Sequence, residues 1–356
     1  MNQSMLDLYT DYLISSFGPT TATGLSRLVD GEVSHDQVTR FLASDAKTSA
    51  DLWRIVKPLI RQLENPDGVL IFDDSIEEKP YTDENDLICW HWDHSNQRHV
   101  KGINFVTAFY ATETVSLPVA FDLVTKTEIY QDAKTGKPKR RSTLTKNARY
   151  RMLLQICVHN QLKFRYLLND SWYAASDNMT FIHLDLKKDF VMPLKANRKV
   201  ALSQSDQQTG RYVTVSTLDL PEGETREIWL EDVGFSLRLA KQVFINEGGS
   251  TGTLYLVTSD LTLPYDRMTS LYQKRFRVEG YHKSLKQNAG LEKSPTRSET
   301  TQQNHFFASV CAYVKLERLK LKQGVNHFAL KSKIYLSALK SAYAELVKLE
   351  PQSLTA

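Results

Sequence analysis

Along the first 64 positions apolar residues recur at spacings of three and four, in LYTDYLISSF, TATGLSRLV, SHDQVTRFLAS and SADLWRIVKPLIRQL. That period predicts a run of helices over 1–64. Ser34 stands before the third as an N-cap, with Gly31 in the turn ahead of it. The stretch GLSRLVDGEVSHDQVTRFL has helix-turn-helix proportions with a lengthened turn, and suits either a DNA-binding module or a helical packing module. NPDG at 65–68 is a turn signal and marks the first boundary. Beyond it the texture changes to strands: VLIF at 69–72, INFVTAFYA at 103–111 and VSLPVAFDLV at 115–124. An amphipathic stretch, LTKNARYRMLLQICVHNQL, leads into the apolar run FRYLLND, which ends at Asp170. The order is strand, strand, strand, helix, strand.

A helix over 176–188 and the run FVMPLK follow. Residues 197–251 alternate in short segments broken by Gly and Pro and read as a β-rich insertion, closed by GGSTG. LYLVTSD at 254–260 resumes the core as a strand, and LYQKRFRVEGYHKSLKQ at 271–287 forms the next helix. The chain is therefore α/β. Its core spans 65–196 and 252–295, with helical regions over 1–64 and 296–356 and no internal repeat.

Acids stand where strands end. Asp73 and Asp74 follow VLIF, and Asp170 follows FRYLLN. Ligand sites of α/β sheets gather at strand ends, and hard divalent cations want carboxylate oxygens, so these acids are a candidate metal site. Any one of them alone is more simply a turn residue. The helix over 271–287 adds a fourth acid. At about 100° per residue, Tyr272, Arg275, Glu279 and Lys286 fall within roughly 60° on one face. Leu271, Val278 and Leu285 form an adjacent stripe suited to packing on the sheet. An i,i+4 pair of Arg275 with Glu279 explains the arginine but neither the tyrosine nor the lysine. A metal-binding glutamate among groups that hold DNA phosphates explains all four.

Composition narrows the class. With 356 residues and 41% hydrophobic content the chain can bury a substantial core. The opening MNQSMLDLYTDYL carries Asp7 and Asp11 and no basic segment, and no apolar run reaches the length of a membrane span, so the expected location is cytoplasmic. Cys89, Cys157 and Cys311 are isolated, which supports neither a disulfide framework nor a structural zinc site. The net charge of +4 is mild. Basic residues concentrate instead in KTGKPKRRSTLTKNARYR and near the C-terminus in VKLERLKLKQ and LKSKIYLSALK, surfaces that suit phosphates beside a catalytic site.

The pattern Y-x-x-R-x-x-x-E-x-x-x-x-x-x-K, met by Tyr272, Arg275, Glu279 and Lys286, resembles the signature of the DDE transposases of bacterial insertion sequences, in the group named for it. FDDS resembles that family's first-aspartate strand, LLNDSWY its second, and a β-rich insertion before the glutamate helix is a feature of the group. The resemblance covers about residues 65–290. It implies an RNase H-like mixed-sheet core with helices on both faces, and Asp74, Asp170 and Glu279 as a triad holding two Mg²⁺ ions, with Mn²⁺ able to substitute. Ser75 favours Asp74 as the first acid, since Thr or Ser usually follows it in the family; Asp73 is the alternative, and alternation along a strand lets only one of the two reach the ions. Tyr272, Arg275 and Lys286 are implied to grip DNA. The implied partners are double-stranded DNA, as element ends and target, and a second copy of the chain in a homodimer on DNA, since pairing two ends calls for two active sites. The implied reaction is cleavage at element ends followed by strand transfer.

Rival readings are a nuclease of the same fold that joins no strands, a DNA-binding protein that has lost catalysis, and an aspartate-based phosphatase. The last would want acids spaced by one residue, whereas Asp73 and Asp74 are adjacent. His91, His94 and His99 in WHWDHSNQRH suit a hairpin better than a metal cluster. Trp172 and Tyr173 suit packing under the site, or stacking on an unpaired base. Lys101 is a weak candidate DNA contact.

Overall fold

The structure is a computed structural model and describes residues 3–94, 96–246 and 248–349. Four helices open the chain: α1 (Gln3–Ser15), α2 (Ala22–Leu28), α3 (His35–Leu42) and α4 (Ser49–Leu63). Their starts follow from local chemistry. The Thr21 hydroxyl accepts from the Gly24 N–H, and Ser34 closes a capping box with Gln37, each satisfying donors that a first turn leaves open. Leu25, Val38, Phe41, Leu52, Val56 and Ile60 are buried, in one apolar cluster shared with the sheet.

Next come β1 (Val69–Glu78), β2 (Cys89–Asp93), β3 (Arg98–Ala111) and β4 (Ser116–Leu123). Gly68 admits β1 past Tyr110: a Cβ there would lie 2.2 Å from the tyrosine hydroxyl, which instead accepts from the Asn65 N–H. An exposed hairpin of β5 (Glu128–Gln131) and β6 (Pro138–Arg141) leads to α5 (Lys146–His159), then β7 (Tyr166–Leu168), α6 (Ser176–Thr180) and β8 (Asp189–Leu194). β1 pairs antiparallel with β3, and β3 with β4, while β1, β7 and β8 run parallel. The order β4-β3-β1-β7-β8 with that mixture of directions is the RNase H-like sheet that the resemblance implies. Val69, Leu70, Ile71 and Phe72 in its middle are fully buried, the continuous apolar run of a strand covered on both faces. On one face Tyr150 of α5 packs 4.6 Å from Phe72. On the other, Phe109 stacks 4.9 Å from Tyr281, and Phe105 lies 4.8 Å from Phe306.

The β-rich stretch contains β9 (Lys199–Val200), α7 (Gln204–Gln208), β10 (Val213–Thr214), β11 (Thr225–Trp229) and β12 (Ser236–Ile245). It does not form a separate sheet throughout. β13 (Thr251–Thr258) pairs with β8 on one side and β12 on the other, so β11 and β12 prolong the core sheet to nine strands among the described residues. Four helices follow: α8 (Tyr265–Gln273), α9 (Arg277–Gln287), α10 (Glu299–Gln323) and α11 (His327–Leu349). The helix expected over 271–287 is thus two helices, joined by a 3-10 turn at Lys274–Phe276 that tightens the backbone under Arg275.

Candidate active site

The site is made by a strand that stops early. β7 ends at Leu168, opposite Ile71, whereas β1 runs on to Glu78 against β3. From Asp73 onward β1 has lost its neighbour on one side, and its residues change from buried to partly exposed. Asp73 and Asp74 therefore lie in mid-strand, not at a strand end as the sequence suggests; the end that opens the site is that of β7, where Asp170 sits two residues on.

Alternation sends the two acids to opposite faces. Asp74 shares the α5 face with Phe72, and Asp73 turns toward the helices α8 and α9. Both nevertheless border one cavity of about 780 Å³, because it wraps round the free edge of β1. Of the two, Asp74 faces Lys146 and Tyr173, and Asp73 faces Arg275. Asp170, Glu279, Arg275 and Lys286 border the same cavity, with Lys146, His94, Trp92, Trp172 and His282.

Each acid is held differently. Asp74 Oδ2 accepts from Lys146 Nζ at 2.7 Å and from Asn104 Nδ2 at 3.4 Å, and its Oδ1 accepts from the Tyr173 hydroxyl at 3.1 Å. Asp73 Oδ1 accepts from the Asp74 N–H, and its Oδ2 faces Arg275 Nη2 at 3.4 Å. Asp170 Oδ1 closes a turn by accepting from the N–H groups of Trp172 and Tyr173. Glu279, 55% exposed, accepts from Arg275 Nη1 at 2.8 Å, so Arg275 bridges Asp73 and Glu279 from a side chain only 12% exposed. Lys286 Nζ donates to the Ile76 carbonyl at 2.7 Å. Tyr272 is buried and does not border the cavity; it lies near Arg275 and edge-on to Phe276. Among the signature residues, then, the structure brings Arg275, Glu279 and Lys286 to the acids and leaves Tyr272 beneath them.

Burial is the main force on the carboxyls of Asp73 and Asp170. It pushes Asp73 up to about 7, with Asp170 and Asp74 adding and Arg275 opposing. Asp170 is raised by burial too, opposed by Arg275 and helped by Asp74. Asp73, Asp74, Asp170 and Glu279 thus share a cavity with the ion-paired cations Arg275 and Lys146. Carboxylate oxygens of this kind are the donors that Mg²⁺ or Mn²⁺ takes, so the donor set fits a divalent ion. Among the described residues no three ligating side chains are already gathered closely enough to hold one, since Glu279 is turned to Arg275.

Sequence reasoning passes over two features here. Lys146 lies inside a basic stretch and carries no motif; its signal is a lysine directly after the capping Thr145, at a helix start where acids are favoured. The aromatic rim is the other: Trp172 against His94 at 5.0 Å, and Trp92 against His99 at 5.0 Å. The three histidines do not meet. His91 is buried beside Cys89, while His94 and His99 flank Trp92 on the β2–β3 hairpin that the sequence predicts. Lys101 lies in β3 opposite Trp90. The stretch 134–151 is in large part structural: Arg140 pairs with Asp86, Arg141 with Glu128, and buried Arg149 with Asp122. Among the described residues no helix is long and apolar enough to cross a membrane.

No curated protein matches the chain. Among solved structures the Drosophila P element transposase strand transfer complex is similar at 13% identity and a TM-score of 0.26, over 58% of this chain and 46% of that one. The profile of the DDE superfamily endonucleases matches residues 2–212, a span that holds Asp73, Asp74 and Asp170 and stops before Glu279. With that profile over more than half of its length, the chain belongs to the DDE superfamily endonuclease family.

Proposed function

We propose that this protein is a DNA transposase, which cuts double-stranded DNA at the ends of its element and joins the freed 3′ ends to target DNA. The observation that carries the reading is the convergence of Asp74, Asp170 and Glu279 with Arg275 and Lys286 on one cavity. Asp74 and Asp170 would hold divalent ions, Mg²⁺ or Mn²⁺, and Glu279 would complete the set on turning from Arg275. When bound, such ions polarise a phosphodiester and acidify a water or a 3′-hydroxyl for in-line attack. Asp73 serves as the anchor of Arg275: its carboxyl keeps the guanidinium at the cavity edge when Glu279 leaves. Arg275 then offers a planar fork, and Lys286 a point charge, to phosphate oxygens. Tyr272 supports Arg275 from behind. The helical region 1–64 and the basic C-terminal region contact DNA or a second copy of the chain, because paired ends need two active sites.

A strand-transfer assay tests the reading. Labelled duplex bearing the inverted sequences that flank the gene is incubated with target plasmid, Mg²⁺ and native or Asp74→Asn protein. Metal-dependent cutting at the ends with joined product, absent from the variant, is expected. Cutting without joining would leave a nuclease of the family, and binding without cutting would leave a DNA-binding protein.

A further inference from the structure

Lys146 occupies a position that helix chemistry does not explain. It is the first residue of α5, whose first turn contains no acid, and Thr145 already caps that turn by accepting from the Ala148 N–H at 3.1 Å. A cation there opposes the helix dipole. What holds it is the cavity: Nζ lies 2.7 Å from Asp74 Oδ2 and 5.5 Å from the centroid of the Trp172 ring. Its side chain is 28% exposed, so solvent reaches it from the cavity side.

We infer that Lys146 is a resident cation that competes with the divalent ion for Asp74. The inference rests on the proposed role of Asp74. The ammonium neutralises a carboxylate whose other oxygen is already engaged by Tyr173. Uptake of the ion requires Nζ to leave Oδ2. A lysine suits that exchange, being a single point charge on a flexible stem, where a bidentate arginine would hold on. The displaced ammonium remains at the cavity mouth, where a phosphate of bound DNA can take it. Loading with metal and gripping DNA are then linked through one side chain.

Calorimetric titration of the full chain with Mn²⁺ tests this, using native protein and the Lys146→Gln, Lys146→Met and Asp74→Asn variants. Removing a competing half-buried ion pair should tighten Mn²⁺ binding in both Lys146 variants about ten-fold, and two variants guard against a folding defect in either. A second readout uses the lysine's contact with Trp172: Mg²⁺ should change the intrinsic fluorescence of native protein, and the change should be missing in Lys146→Gln. Mn²⁺ affinity unchanged or weaker in both lysine variants would overturn the inference while leaving the metal site standing. Native protein that binds no Mn²⁺, or binds it equally well with Asp74→Asn, would overturn the proposed function and this inference with it.

Discussion

Replacing Asp73 with Asn should make the metal-free protein more stable at neutral pH, although the residue lines the candidate active site. The Asp73 side chain is 13% exposed, and its pKa rises from 3.8 to about 7, chiefly through burial. An acid with a folded-state pKa above its unfolded value binds protons more readily in the folded chain, so stability falls as pH rises from about 4 to about 7. Three pKa units correspond to about 4 kcal/mol, of which about 3 kcal/mol is expressed between pH 5 and pH 8. Asn keeps the shape and has no charge to bury. Arg275 loses one partner and keeps Glu279, which adds an offset that does not vary over this range. Urea unfolding in chelator, followed by tryptophan fluorescence from about pH 5 to pH 8, measures the difference. The gap should widen in the variant's favour by about 3 kcal/mol across that range. Parallel curves for the two proteins would refute the assignment of Asp73 as a buried carboxyl held at a cost to the fold.

Two further outcomes follow from other residues. Lys286→Ala should weaken DNA binding several-fold at about 0.15 M salt and lower the salt-dependence slope by about 1, as read by fluorescence anisotropy across a salt series, because the proposed phosphate contact is lost. Fully buried His305, held by the Tyr9 hydroxyl and the Gly290 carbonyl, has its pKa lowered to about 4 by burial. The unfolded chain therefore takes the proton first, and the contribution of His305 to stability, intact above pH 6.5, should fall by about 1.4 kcal/mol per pH unit from there toward pH 4. A His305→Gln variant should lack that slope in the same unfolding experiment.

The elements that position the site were legible where periodicity is strong. The succession of core strands along the chain, α5 and the helical ends follow from apolar spacing, and Ser34 caps its helix for the reason its side chain suggests. Glu279, Arg275 and Lys286 border one cavity with the aspartates because three- and four-residue spacing survives a single 3-10 turn. Three things lay outside local pattern. β1 continues past Asp74 because β3 pairs with it to Glu78, a long-range contact that the polar sequence DDSIEE does not announce. The union of β11 and β12 with the core depends on the edge of β13, which no local window contains. Lys146 meets Asp74 across 72 residues, so its role depends on where α5 docks.

The most direct test is single-turnover cleavage of the element-end duplex in Mg²⁺ by native protein and by Asp74→Asn, Asp170→Asn and Glu279→Gln, with DNA binding measured alongside. Native protein should cut, and each variant should bind DNA comparably while cutting at least about a thousand-fold more slowly. Cleavage by Asp74→Asn or Glu279→Gln within about ten-fold of native would contradict the assignment of these carboxylates as the catalytic centre.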